Sequence, residues 1–272
     1  MSEQPVRQLG HAIHAEFTKI TTTRLWWMLA LIMIVYVALV AGGLTAILAS
    51  VGGSRGPQIT DAQRAPLIYS FGSSIGYVFP VLLGALVTTS EFRHKTLTPT
   101  FLAMPRRGRI LVAKLVALTV FGGLFGVLAM ASSIGAGSGV MALFSQDARL
   151  TDPAIWALAG RAVLAMALWC SVGVGLGVLI PSQVAAIVIV LAFTQFVEPI
   201  LRFASGLTDV TAQIGQYLPG SASDALVGSS FYSLTAPTVV GLDWWQGALV
   251  LLAYAVAASF LGFFTSWRRD VT

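Results

Sequence analysis

The charged side chains of this sequence concentrate in one stretch, Ser90–Lys114, which reads SEFRHKTLTPTFLAMPRRGRILVAK and holds six of the sixteen Lys and Arg residues together with Glu91. Carboxylates, guanidinium groups and amines in this arrangement suit ion pairing and the orientation of a polar partner rather than acid–base or nucleophilic catalysis. Pro99 and Pro105 break the backbone, and KTLTPTFLAM between the charges is short and mildly apolar, which predicts a surface helix held for a protein partner. Leu97, Phe101 and Leu102 are its apolar anchors, and Arg106 and Arg107 its rim.

Other candidate groups are sparse. Glu198 and Arg202 are four residues apart and share a helix face, with Pro199 between them to bend it, so they are expected to pair. His11 and His14 have metal-pair spacing but no further ligands and read as solvated. The single cysteine, Cys170, reads as a small buried hydrophobe and excludes an internal disulfide. The three lysines follow Thr18, His94 and Ala113, so no Gly-Lys-Ser/Thr phosphate loop exists and ATP hydrolysis by that route is excluded. The carboxylates read as scattered among loops, with Glu198 alone near a membrane interior. A lipid-handling enzyme calls for converging His, Asp and Glu groups, and a proton-coupled carrier for a string of intramembrane charges. The sequence offers neither pattern.

The elements that must position these groups are apolar. In 272 residues, 56% are hydrophobic and 10% charged, with mean hydropathy +0.82, which predicts an all-α polytopic membrane protein. Six runs are long enough to span: Leu25–Ala49, Leu67–Thr89, Ile110–Ser132, Ile155–Ile180, Val184–Phe203 and Trp244–Ser266, with Ile134–Val140 able to extend the third. They form one transmembrane domain over residues 1–272, comprising segment 1–24, spans within 25–266 and tail 267–272. Val6, Leu9, Ile13, Phe17 and Ile20 recur at helical spacing before the first span, the pattern of an amphipathic interfacial helix. No small-residue cleavage site follows the first apolar run closely, so it is expected to remain as an anchor.

Six spans put both termini on one side. That side receives Arg7, Lys19, Arg24, Arg93, Lys95, Arg106, Arg107, Arg109, Lys114, Arg268 and Arg269, and the other side Arg55, Arg64, Arg149, Arg161 and Arg202, so the termini are expected to be cytoplasmic. The net charge of +5 follows from this topology and needs no nucleic-acid partner; basic loops facing anionic lipid account for it. Trp26, Trp27, Trp156, Trp244, Trp245 and Trp267 fall at span ends, where interfacial aromatics belong. The long segment Ala204–Asp243 contains IGQYLPGSASDALVGSSF, too apolar for a free loop and too short to span, and predicts one or two short helices dipping into the outer leaflet, broken at Pro219–Gly220. The glycines of FGGLFG and SVGVGLGV predict close helix packing in the third and fourth spans.

Glu91-Phe92-Arg93-His94-Lys95-Thr96, then Met104-Pro105-Arg106-Arg107, then Lys114 at the third span, resembles the permease subunits of ABC transporters of the ABC-2 (type V exporter) class, in the compact six-span form common in actinobacteria. The departure is Lys95, where that family carries Gly before the Thr. The resemblance runs along the whole chain, including Leu218-Pro219 before the last span and the ending SWRRDVT. It implies a permease that dimerises with itself or a paralogue and exports a hydrophobic or amphipathic compound across the cytoplasmic membrane of a bacterium. The segment Glu91–Arg109, including Thr96 and Pro105, becomes the coupling helix for two separate ATPase subunits, which hold the ATP and Mg; this chain binds no cofactor or metal itself. The same resemblance lines the cavity mainly with the second and fifth spans, where Ser70, Ser73, Ser74, Thr194 and Gln195 offer polar contacts. A membrane-embedded lipid-handling enzyme and an ATP-independent carrier are the alternatives.

Overall fold

A computed structural model describes residues 3–51, 60–96, 106–205, 208–229 and 241–267. The sequence-predicted anchors Leu97, Phe101 and Leu102, with Pro105 and the tail arginines Arg268 and Arg269, lie outside the described residues. Among those described, every regular element is a helix. In chain order these are α1 (Glu3–Thr22), α2 (Leu25–Val51), α3 (Asp61–Ser74), α4 (Val78–Arg93), α5 (Arg107–Leu143), α6 (Pro153–Leu179) and α7 (Gln183–Ala192). They continue with α8 (Glu198–Ser205), α9 (Asp209–Gly215), α10 (Pro219–Val227) and α11 (Trp244–Gly262).

Among the described residues, six helical stretches are long and apolar enough to cross a membrane: Leu25–Ser50, Ala62–Arg93, Arg107–Leu143, Pro153–Leu179, Gln183–Ser205 and Trp244–Trp267. These are the six spans of a multi-pass membrane protein. The fourth, α6, forms the middle of the bundle and packs against α4, α5 and α11. Glycine makes that contact close. A Cβ on Gly84 would overlap the Cys170 carbonyl oxygen, and one on Gly173 would overlap that of Val81. The first and fifth spans present mostly apolar outer faces, including Leu39, Val184, Val188 and Phe196.

Three spans depart from a plain helix: the sixth ends in a π-helical turn at Phe263–Trp267, and the second and fifth are interrupted within their length. The second is not continuous over Leu67–Thr89: it breaks at Ile75–Tyr77 between α3 and α4. Just before the break, the Ser70 and Ser73 hydroxyls donate to the Leu67 and Ser70 carbonyls at 2.7 and 3.0 Å, the back-bonding that favours a bend. Tyr77 then stacks on Trp169, with ring centroids 4.5 Å apart. The fifth span widens into a π-helical turn at Phe193–Val197 between α7 and α8. Pro199 follows at the start of α8, where its missing N–H and its ring prevent a regular i to i−4 bond.

The third span also runs further than Ile110–Ser132, absorbing the Gly-rich Ile134–Val140 into a 37-residue helix. Within the long segment before the last span, Pro219–Gly220 opens α10 instead of breaking a helix, because proline suits the first helical position. Trp267 departs from the interfacial role: it is buried, and its indole N–H donates to the Arg107 carbonyl at 3.1 Å, tying the end of the sixth span to the start of the third.

Candidate functional site

Charges read as scattered along the sequence converge at the face where α1 and Trp267 lie. The apolar stripe of α1 rests on α5, with Phe17 5.7 Å from Phe121 between ring centroids. Glu16 sits within that stripe and is carried into the contact. There Lys114 Nζ, fully buried, donates to Glu16 Oε2 at 2.6 Å and stands 3.0 Å from Glu91 Oε1. Lys19 Nζ closes the arrangement, 2.6 Å from Glu16 Oε1 and 3.0 Å from Glu91 Oε1. Two amines and two carboxylates thus alternate across α1, α4 and α5. Burial alone would raise the Glu16 carboxyl, but Lys114 and Lys19 outweigh it and hold the group below its ordinary range. Burial would likewise lower the Lys19 amine, and Glu91 and Glu16 outweigh it and raise it.

This network joins the end of α4 to the start of α5. Glu91 and half-buried Phe92 point inward, Phe92 meeting Trp267 edge-on at 5.8 Å, whereas Arg93, Thr96 and Arg106 are exposed. Arg93 Nη1 donates to Gln183 Oε1 at 3.0 Å, joining the second span to the start of the fifth. Arg107 Nη1 reaches the Trp267 carbonyl at 3.5 Å, and Arg109 Nη1 donates to Gln8 Oε1 on α1 at 2.9 Å. The predicted coupling residues therefore divide into an inward brace and an outward set.

The turn leaving α4 accounts for Lys95. Thr96 N–H bonds the Glu91 carbonyl at 3.1 Å and Lys95 N–H that of Phe92 at 3.3 Å, the paired bonds of a Schellman cap. Such a cap needs a left-handed residue, and Lys95 adopts φ 53°. The lysine keeps the turn that a glycine would make.

At the other end of α4, a cavity of about 450 Å³ opens between the first, second and fifth spans and α10. The irregularities of the second and fifth spans border it, and the Tyr77 hydroxyl donates across to the Thr194 carbonyl at 3.4 Å. Of the five predicted polar contacts, Ser74, Thr194 and Gln195 line the cavity. Ser70 and Ser73 do not; they are buried and bonded within α3.

The expected pair is present as part of a triad. Arg202 Nε lies 3.3 Å from Glu198 Oε1, and its Nη1 lies 2.7 Å from Asp224 Oδ2. Gly220 N–H, at the start of α10, donates to Glu198 Oε1, and Ser74 Oγ approaches Asp224 Oδ1 at 3.5 Å. Glu198 and Arg202 on the fifth span thus meet Asp224 on α10, a carboxylate that reads in the sequence as one of those scattered among loops.

Sequence reasoning missed Glu16, Asp224 and Tyr77. Glu16 had a signal: it lies three residues after Ile13 and four before Ile20, inside the apolar stripe. No family model matches the chain, and no curated protein matches it in sequence.

Proposed function

We propose that the chain is the membrane subunit of an ABC-2 type exporter. It pairs with a second copy or a paralogue in a bacterial cytoplasmic membrane, with both termini cytoplasmic, and moves a hydrophobic or amphipathic compound using ATP hydrolysed by two separate ATPase subunits. The observation that carries this reading is the network of Glu16, Glu91 and Lys114, all three buried, with the exposed Lys19 closing it. A partner that pushed on the segment between the second and third spans would push on the ends of α4 and α5, and the network makes those ends and α1 one body. The 16-residue α4 then leads from Glu91 to the residue after Tyr77 at the cavity. Motion applied at one face would reach the cavity as a rigid-body shift, the kind of change that needs no catalytic side chain.

Affinity purification of the tagged chain from its native membrane in mild detergent tests this reading. It should recover a protein bearing a Gly-Lys-Ser/Thr phosphate loop, and the complex should hydrolyse ATP while the chain alone does not. Recovery of the chain without any such protein would contradict the proposal.

A further inference from the structure

Among its described lining residues, the cavity between the first, second and fifth spans holds more carboxylates than cations. Arg202 is the one cation among them, and it faces two carboxylates, Glu198 and Asp224. The N-terminus of α10, whose Gly220 N–H meets Glu198, offsets only about half a charge. Glu198 is 2% exposed, and its Oε2 accepts no hydrogen bond. A buried carboxylate oxygen without a donor is costly, and a ligand N–H would satisfy it.

The rest of the lining is mostly apolar and aromatic. Phe71 and Phe79 form part of the wall, and Ile32 and Tyr36 stand at the first span, both exposed, so the cavity opens sideways from the bundle into the apolar belt. Its size lies within the range of about 300–1,000 Å³ usual for small-molecule sites. Glu198 lies roughly 20 Å along the fifth span from Gln183, well inside the apolar thickness. A charged ligand reaching that depth needs an apolar body of its own.

We infer that this cavity binds an amphipathic cation, a primary ammonium joined to an apolar chain. Its N–H groups face Glu198 and Asp224, and its chain lies along Phe71, Phe79 and Tyr36 towards the lateral opening. As a substrate class the inference rests on the export reading above; as a binding site it stands on the cavity alone.

The test uses the purified chain in detergent without any ATPase, and radiolabelled dodecylammonium in a scintillation-proximity measurement. Saturable binding is expected, displaced by unlabelled dodecylammonium and not by dodecanoate or dodecanol of equal chain length. Glu198→Gln should weaken it about 10- to 100-fold. If that variant does not fold, the head-group order on the unaltered chain decides, and Tyr36→Ala, at an exposed position, should still weaken binding through the apolar wall. Absence of saturable binding, equal displacement by dodecanoate, or unchanged affinity in a folded Glu198→Gln protein would each overturn the assignment. Because no ATPase takes part, such a failure leaves the export reading intact, and failure to recover an ATPase leaves the binding result intact.

Discussion

Lys114 Nζ lies 2.6 Å from Glu16 Oε2, with the lysine side chain fully buried and the glutamate nearly so. The amino-terminal helix is thereby fixed to the third span by a charge pair sealed from water. Removing one partner of such a pair leaves an uncompensated buried charge, which costs about 3–5 kcal/mol. Lys114→Met should lower the stability of the detergent-solubilised chain by about that much in chemical denaturation. Adding Glu16→Gln and Glu91→Gln should restore much of the loss. A loss below about 1 kcal/mol in the single variant, the range of an exposed pair, would contradict the buried network.

The docking of α1 should hold across the neutral range and fail at its edges. The Glu16 carboxyl is lowered in the folded protein, so its contribution is full above the ordinary value of 4.5 and is lost as pH falls through the folded value. The Lys19 amine is raised, so its contribution is full below 10.5 and is lost as pH rises through its folded value. A dye pair at His11→Cys and Val116→Cys should report a constant separation between those limits and an increase in acid. Glu16→Gln should remove the acid limb. Detachment of α1 between about pH 6 and pH 8 would be incompatible with these shifts.

The boundary between what the sequence shows and what it hides follows contact range. The six spans are apolar runs, a property of single segments, and Glu198 with Arg202 share a face at four-residue spacing. Asp224, which completes that triad, lies on a different helix and is brought in only by the packing of α10. The break at Ile75–Tyr77 leaves the apolar run intact, because tertiary stacking of Tyr77 on Trp169 takes part in shaping it. Ser74 and Ser73 are neighbours of the same type, yet one lines the cavity and the other bonds its own helix, a difference set by where the helix ends.

Lys95 holds a left-handed turn that glycine adopts at little cost. Lys95→Gly should therefore stabilise the chain by about 0.5–1 kcal/mol, and Lys95→Val should destabilise it by more than that, since a β-branched residue is poorly accommodated at positive φ. Thermal denaturation of the two variants beside the unaltered chain reads both signs. Equal melting of all three would mean that the turn is not held in this conformation.

Gly173→Ala should damage the centre of the bundle. The added methyl would overlap the Val81 carbonyl oxygen, a backbone atom with no rotamer to move, so α4 and α6 must separate. A loss of about 1–3 kcal/mol is expected in denaturant titration. Gly135→Ala, where a Cβ meets nothing within 4 Å, should be tolerated and serves as the control.

The account turns on the segment between the second and third spans receiving an ATPase. With the partner in hand, the most direct measurement is its recovery by the tagged chain carrying Leu97→Ala and Phe101→Ala, set beside Arg106→Gln with Arg107→Gln. Apolar anchors usually dominate docking, whereas rim charges chiefly steer encounter. The apolar double variant should lose the ATPase at every ionic strength, and the arginine variant should lose it only in part, its deficit beside the unaltered chain being largest at low salt and shrinking as salt screens the charges. Undiminished recovery by the Leu97→Ala, Phe101→Ala chain would show that the basic stretch serves topology alone and that the ATPase docks elsewhere.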